Sequence, residues 1–360
     1  MTLTAWPAHG GRVAPLLARF GLPADHPVID FSANLNPLGP PSWLPAWLSG
    51  AGDALARYPD PDDDRARRAL AEHDDVAPER VLVTNGGIEA IYLAAALHAG
   101  GRALVIEPTF SEYALACRRH GLTVDRLALE APTFRLDLDA AEAALAGIDV
   151  VFLCRPNNPT GTLMPRADVE RLLARAHRSG TTLVVDEAFV DFTENDERLT
   201  TLLDQAPNLL LLRSLTKRFD VPGLRLGYLL GAPETVNRLA TQQMPWSVNA
   251  LARGLVPPLL ADHEYLARTR AWLSAERGLP GAVRELGFTV PDTQANFFLL
   301  RGGHDADESR ALFAFLLERG LLARHTHGFP GLEGAWLRLA LREAEDNARL
   351  LEALTAWRRP

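Results

Sequence analysis

The sequence predicts an α/β fold: a mainly parallel sheet with helices on both faces. Three observations carry this. Six short apolar runs, at 81–84, 103–106, 123–129, 149–154, 181–186 and 209–212, read as buried strands. Stretches of helical spacing separate them, which is the rhythm of βα units covered on both sides. Glycines and polar residues stand just beyond several of these runs, at the carboxyl edge where open α/β sheets collect ligands.

At 360 residues the chain is long enough for one large core and a smaller appended domain. Its formal charge of −8 argues against a nucleic-acid surface, which needs clustered Lys and Arg. No apolar run is long enough to span a bilayer, and the N-terminus lacks the basic-then-apolar layout of a secretory signal. Cys117 and Cys154 are far apart and read as free thiols, so the expected location is cytoplasmic.

Taken in order, the chain begins with Ala8-His9-Gly10-Gly11, whose glycines can aim backbone N–H groups at an anion. Residues 29–39 start as a short strand and end in turn residues. Ser32 and Asn34 alternate there with apolar neighbours, and either face a pocket or form an Asx-turn. Arg57-Tyr58-Pro59-Asp60 opens a loop, and the acidic run 60–64 is expected to cap the next helix and offset its dipole. The turn Gly86-Gly87-Ile88 enters an Ala-rich helix, and Pro108-Thr-Phe110 leads into another. After about residue 243 the pattern changes. Helices at 247–262 and 264–286, strands at 294–301, 321–325 and 336–341, and a final helix suggest a small α+β domain. The expected division is a large domain at 46–245, with 1–45 and 246–360 forming the small domain and its N-terminal arm.

Lys217 is the only lysine in the chain, and it ends an apolar strand in the run Ser214-Leu-Thr216-Lys217. A lysine so placed can hold a carbonyl cofactor as a Schiff base, while hydroxyls and a guanidinium grip a phosphate. Pyridoxal phosphate (PLP) is the cofactor that needs both. Asp186 suits the carboxylate that keeps a pyridine nitrogen protonated. Asn157 suits an amide donor near the ring oxygen, and Phe110 offers a flat face for the ring. The phosphate is expected on the N–H groups of Gly86, Gly87 and Ile88, with Ser214, Thr216 and Arg225. Asn157, Asp186 and Lys217 follow one another at about thirty residues, one βα unit apart. No metal site is expected: His325 and His327 stand two apart, with no Cys or acid cluster beside them.

The motifs Asn157-Asn-Pro-Thr-Gly, Asp186-Glu-Ala, Ser214-Leu-Thr-Lys217 and Gly223-Leu-Arg225-Leu-Gly resemble those of the fold-type I PLP enzymes, the aspartate aminotransferase superfamily, over nearly the whole chain. The resemblance implies a Schiff-base Lys217, a pyridine-pairing Asp186 and a homodimer with shared active sites. It further implies that Tyr58 reaches the neighbouring subunit's cofactor phosphate. Within the superfamily, His9-Gly-Gly and the stretches 30–39, 186–192 and 242–249 are similar to the threonine-phosphate decarboxylases of cobalamin biosynthesis. That likeness implies conversion of L-threonine O-3-phosphate to (R)-1-amino-2-propanol O-2-phosphate and CO2. It places the substrate carboxylate on Arg338 with help from Asn157. The substrate phosphate falls to Arg324 and His9, with Asn34 lining the same pocket. The alternative is an aminotransferase of the histidinol-phosphate type. Phe189 stands where many aminotransferases place a Tyr that bonds the ring oxygen, which disfavours ordinary transamination.

Overall fold

Runs such as Val150-Val-Phe-Leu-Cys154 and Leu209-Leu-Leu-Leu212 have no polar face, so they are stable only with cover on both sides. The computed structural model describes residues 6–7, 9–59, 64–303 and 305–358, and in it these runs form the middle of a seven-stranded sheet. The strands in chain order are β1 (Ile29–Asp30), β2 (Val81–Asn85), β3 (Arg102–Glu107), β4 (Thr123–Ala128), β5 (Val150–Cys154), β6 (Thr182–Asp186), β7 (Leu209–Ser214), β8 (Leu226–Leu230), β9 (Phe297–Leu300), β10 (Leu321–Leu322), β11 (Arg324–His325) and β12 (Leu337–Ala340). The large sheet runs β2-β8-β7-β6-β5-β3-β4, and only β8 is antiparallel to its neighbours.

Sequence periodicity does not mark β8, because its short run contains Gly227 and follows a tight turn at Pro222–Leu224. Its reversed direction has a consequence for the site. The other strands bring their carboxyl ends to one edge, and β8 brings its first residues there, so Arg225 arrives at that edge.

Helices Gly86–Ala96, Glu112–Arg119 and Pro233–Ala240 pack on one face of the sheet. Helices Arg65–Asp74, Leu138–Ala144, Arg166–Arg178 and Ala250–Ala261 cover the other. A second core surrounds the antiparallel sheet β11-β12-β9 and the two-residue parallel pair β1-β10.

Three expectations need correction. Ala252, Leu255, Val256 and Leu259 are buried in the large sheet's core, together with Tyr265 and Leu266 of helix His263–Glu276, whereas Trp272 and Leu273 lie in the second core. We therefore place the division between the cores inside that helix, not near residue 245. The single helix expected at 264–286 is two, His263–Glu276 and Leu279–Glu285, interrupted at Arg277-Gly278 with Pro280 in the first turn of the second. Of the acidic run, 60–63 lie outside the described residues. Asp64 makes no capping bond and instead accepts from Arg68 Nε at 2.7 Å.

The segment after β1 stitches the two cores together. Phe31 N donates to Leu322 O, Phe31 O accepts from Ala340 N, and Asn36 N donates to Lys217 O at 3.0 Å. Among the described residues, no helix is long and apolar enough to cross a membrane.

A close backbone approach in the large sheet is where β8 meets the turn entering helix Gly86–Ala96. A Cβ at Gly227 would lie 2.7 Å from Gly86 C and Gly87 N, and 2.9 Å from Arg213 O. Backbone cannot yield as a side chain does. Gly227→Ala is expected to destabilise the fold by about 1–3 kcal/mol, read as a lower unfolding temperature. An unchanged unfolding temperature would mean the turn has slack.

Candidate active site

Strand ends and the second core enclose a cavity of about 500 Å³ at the carboxyl edge of the large sheet. Lys217 lies on its wall, on the four-residue helix Leu215–Arg218 that follows β7. The residue as a whole is half-buried. Burial lowers its pKa to about 8, with Arg225 and Arg338 acting in the same direction and Asp186 opposing. A neutral amine is the nucleophilic form, so the surroundings make this lysine reactive near neutral pH.

Asp186 ends β6 on the same wall and is 7% exposed. Its Oδ2 accepts from the Tyr113 hydroxyl at 2.7 Å and its Oδ1 from Ala188 N at 2.9 Å. Burial raises its pKa, against those two bonds and the nearby Lys217. Burial also raises the pKa of Tyr113, which keeps its proton and donates. Sequence reading missed Tyr113. The available signal is its place one turn after Phe110, on the sheet-facing side of helix Glu112–Arg119; the two rings lie 5.8 Å apart, edge to face.

The floor is pinned from below. Arg213 and Glu187, next to Ser214 and Asp186 in sequence, have Nη2 and Oε2 2.9 Å apart, and Arg213 Nη1 lies 3.7 Å from Asp74 Oδ1. Burial outweighs Arg213 and raises Glu187 to about 7.

An anion cradle lies beside the lysine. Gly86 has φ +72°, a left-handed turn that a side chain would strain. Helix Gly86–Ala96 begins there, so the first-turn N–H groups of Gly86, Gly87 and Ile88 lack helical partners. The hydroxyls of Ser214 and Thr216 are 2.8 Å apart. The Arg225 guanidinium lies against the glycine turn: a Cβ on Gly86 would be 2.8 Å from its Nη2.

The two adjacent asparagines point different ways. The amide of Asn157 is consumed in the loop wall, donating to Pro108 O (2.9 Å) and Thr160 Oγ1 (2.8 Å) while accepting from Thr109 Oγ1 (2.9 Å). Asn158 faces the cavity, and its Oδ1 accepts from Arg338 Nη1 at 2.6 Å. Spacing cannot separate neighbours in a turn that reverses between them. Of the pair, Asn158 and not Asn157, of which the ring-oxygen and carboxylate roles were expected, faces the cavity.

Arg324 and Arg338 are directly opposed residues of β11 and β12, 3% and 6% exposed. Arg338 Nη2 donates to Ser32 O at 2.6 Å, and its Nε is buried without a partner. Arg324 Nη1 donates to Pro7 O at 2.8 Å and lies 3.0 Å from His325 Nε2. Burial lowers Arg324 to about 10 and Arg338 to about 9, the latter also through Arg324. Asn34 Oδ1 is buried without a partner on the same cavity. His9 stands at the rim, 57% exposed, 3.4 Å from Glu112 Oε1.

Phe110 lines the cavity, as does Phe189, which is buried against Phe297 and offers no donor. Tyr58 does not reach its own chain's cavity; it is 78% exposed and its ring lies 4.7 Å from that of Trp246. His325 and His327 flank the Trp6 ring, at 4.4 and 4.7 Å. Among the described residues no group of three or more His, Cys, Asp or Glu is arranged to hold a metal.

A reactive amine, a buried carboxylate within its field, a glycine cradle and orphaned Arg338 Nε and Asn34 Oδ1 fit PLP and an anionic amino acid beside it. The comparisons agree. Threonine-phosphate decarboxylase of Salmonella typhimurium is 37% identical over 96% of this chain and 95% of its own. A histidinol-phosphate aminotransferase of Symbiobacterium thermophilum is 36% identical over 92% of this chain and 91% of its own. The solved L-threonine-O-3-phosphate decarboxylase of Porphyromonas gingivalis matches with a TM-score of 0.80 at 29% identity, covering 91% of this chain and 98% of that one. With residues 26–354 matching the family described as aminotransferase class I and II, the chain belongs to that family and is a PLP-dependent enzyme of the fold-type I class.

Proposed function

We propose that this enzyme decarboxylates L-threonine O-3-phosphate to (R)-1-amino-2-propanol O-2-phosphate in cobalamin biosynthesis. The observation that carries the proposal is the opposition of Arg324 and Arg338 across β11 and β12. Directly opposed antiparallel residues project from one face with Cβ atoms about 4.5–5.5 Å apart. Two buried guanidinium groups so close favour a small molecule with two anionic ends. Threonine phosphate carries a carboxylate and a phosphate on neighbouring carbons, whereas histidinol phosphate has no carboxylate. The similarity to the Salmonella and Porphyromonas decarboxylases points the same way.

Lys217 would hold PLP and Asp186 would pair with its pyridine nitrogen; so bound, the cofactor would supply an electron sink for the bond broken at Cα. The chain's residues do the rest. Arg338, fixed by Ser32 O and Asn158 Oδ1, grips the carboxylate through its remaining N–H groups. Arg324 and His9 take the phosphate, with Asn34 beside them. Holding both ends would fix the orientation of the Cα–carboxylate bond, the condition under which geometry favours CO2 loss over proton loss. The Lys217 side chain, in its free and protonated ammonium form, would be the acid placed to protonate Cα. Phe110 and Phe189 keep the walls apolar, which strengthens these charge interactions. We further propose a homodimer in which Tyr58 completes the neighbouring site, supported by its 78% exposure beside Trp246, itself 57% exposed.

The direct test follows CO2 release from threonine phosphate and glutamate formation from 2-oxoglutarate plus histidinol phosphate. The expected result is rapid CO2 release with little glutamate; the reverse would make the enzyme an aminotransferase. Arg324→Ala is expected to cost about 2–5 kcal/mol in kcat/KM for threonine phosphate, because it leaves a phosphate unpaired in a dry pocket. PLP affinity, measured by titration of the cofactor-free protein, should hardly move. A comparable loss of PLP affinity would assign Arg324 to the cofactor.

A further inference from the structure

We infer that Asn36 is a positioning residue for Lys217, bracing the turn that carries the amine against the strand that carries Arg338. The inference rests on Lys217 being the cofactor-bearing amine, and on nothing about which reaction follows.

The helix Leu215–Arg218 is one turn long, so its last carbonyls have no donors within it. Asn36 supplies two. Its backbone N–H donates to Lys217 O at 3.0 Å and its Nδ2 to Arg218 O at 2.9 Å. The Tyr265 hydroxyl lies 3.1 Å from the same Arg218 O and 2.8 Å from Gly39 O. The other Nδ2 proton of Asn36 goes to Thr269 Oγ1 at 2.8 Å, and its Oδ1 accepts from Leu38 N at 3.2 Å. Asn36 is 1% exposed and does not line the cavity. Every polar atom is committed, so it has no capacity left for substrate. Its work is mechanical.

The other end of the brace lies four residues earlier. Ser32 O accepts from Arg338 Nη2 at 2.6 Å, and Phe31 O accepts from Ala340 N. Asn34, between the two anchors, lines the cavity. Four residues span at most about 13–14 Å, so segment 32–36 limits how far the amine and the carboxylate-binding guanidinium can separate. The charged groups acting on the Lys217 amine come from three further elements: Asp186 at the end of β6, Arg225 before β8 and Arg338 on β12. Loosening the turn changes all three distances at once. It therefore alters both the titration of the Lys217 nitrogen, free or joined to the cofactor, and its aim at Cα.

The test uses PLP-loaded wild-type, Asn36→Ala and Tyr265→Phe proteins. Cofactor absorbance is titrated against pH without substrate, and kcat and KM are measured with threonine phosphate. Unfolding temperatures of the cofactor-free forms are compared as well. The expected result for Asn36→Ala is a displaced titration midpoint and a kcat reduced about 10- to 100-fold, with KM little changed. Tyr265→Phe leaves Asn36 intact and should shift both quantities the same way by less, so it decides the matter if Asn36→Ala does not fold. An unmoved midpoint in the folded variants would overturn the inference, as would activity lost only in step with unfolding. Because the titration needs no substrate, this result is independent of whether the wild type proves to be a decarboxylase.

Discussion

The site depends on one amine kept largely out of water among two arginines and one aspartate. Desolvation disfavours the charged ammonium, Arg225 and Arg338 add to that, and Asp186 only partly opposes it. Together the surroundings shift Lys217 toward its neutral, nucleophilic form at pH values where an ordinary lysine stays charged. The sheet makes this possible. β6 and β7 are buried on both faces, so whatever follows them is delivered into a dry, rigid edge.

Keeping charges in such a place costs free energy, and the structure offsets it with bonds that hold geometry as well. Arg213, Glu187 and Asp74 form a buried network beneath the floor, with Tyr228 donating to Asp74 Oδ2 at 2.6 Å. Removing one member would leave an uncompensated buried charge, which is far worse than never having had the pair. Asn158 and Ser32 orient Arg338 in the same way, and Tyr113 orients Asp186. The reacting groups thus rest on a layer of residues that touch no ligand.

Much of this was legible in the sequence, because the large sheet is written in continuous apolar runs and its ligand-facing residues follow those runs. Lys217, Asp186, Gly86 and Gly87 come to one edge for that reason, whereas Arg225 comes to it because β8 runs the other way. Three features were not legible. The strand β8 is short and glycine-bearing, so it has no periodic signature. Asn157 and Asn158 differ only in which way a turn points them, and that is decided by bonds to Pro108, Thr109 and Thr160. The core allegiance of helix Ala250–Ala261 comes from packing against helix Arg65–Asp74 and the sheet, a long-range fact that local composition cannot encode.

The most direct measurement takes advantage of Lys217 being the chain's single lysine. Cofactor-free protein is mixed with PLP from about pH 6 to about pH 10, reduced with borohydride and mapped by mass spectrometry. A phosphopyridoxyl group is expected on Lys217, with a capture rate that rises with pH and levels off above about 8. No adduct at Lys217, or a rate still climbing at the top of the range as for a solvated lysine, would contradict that expectation.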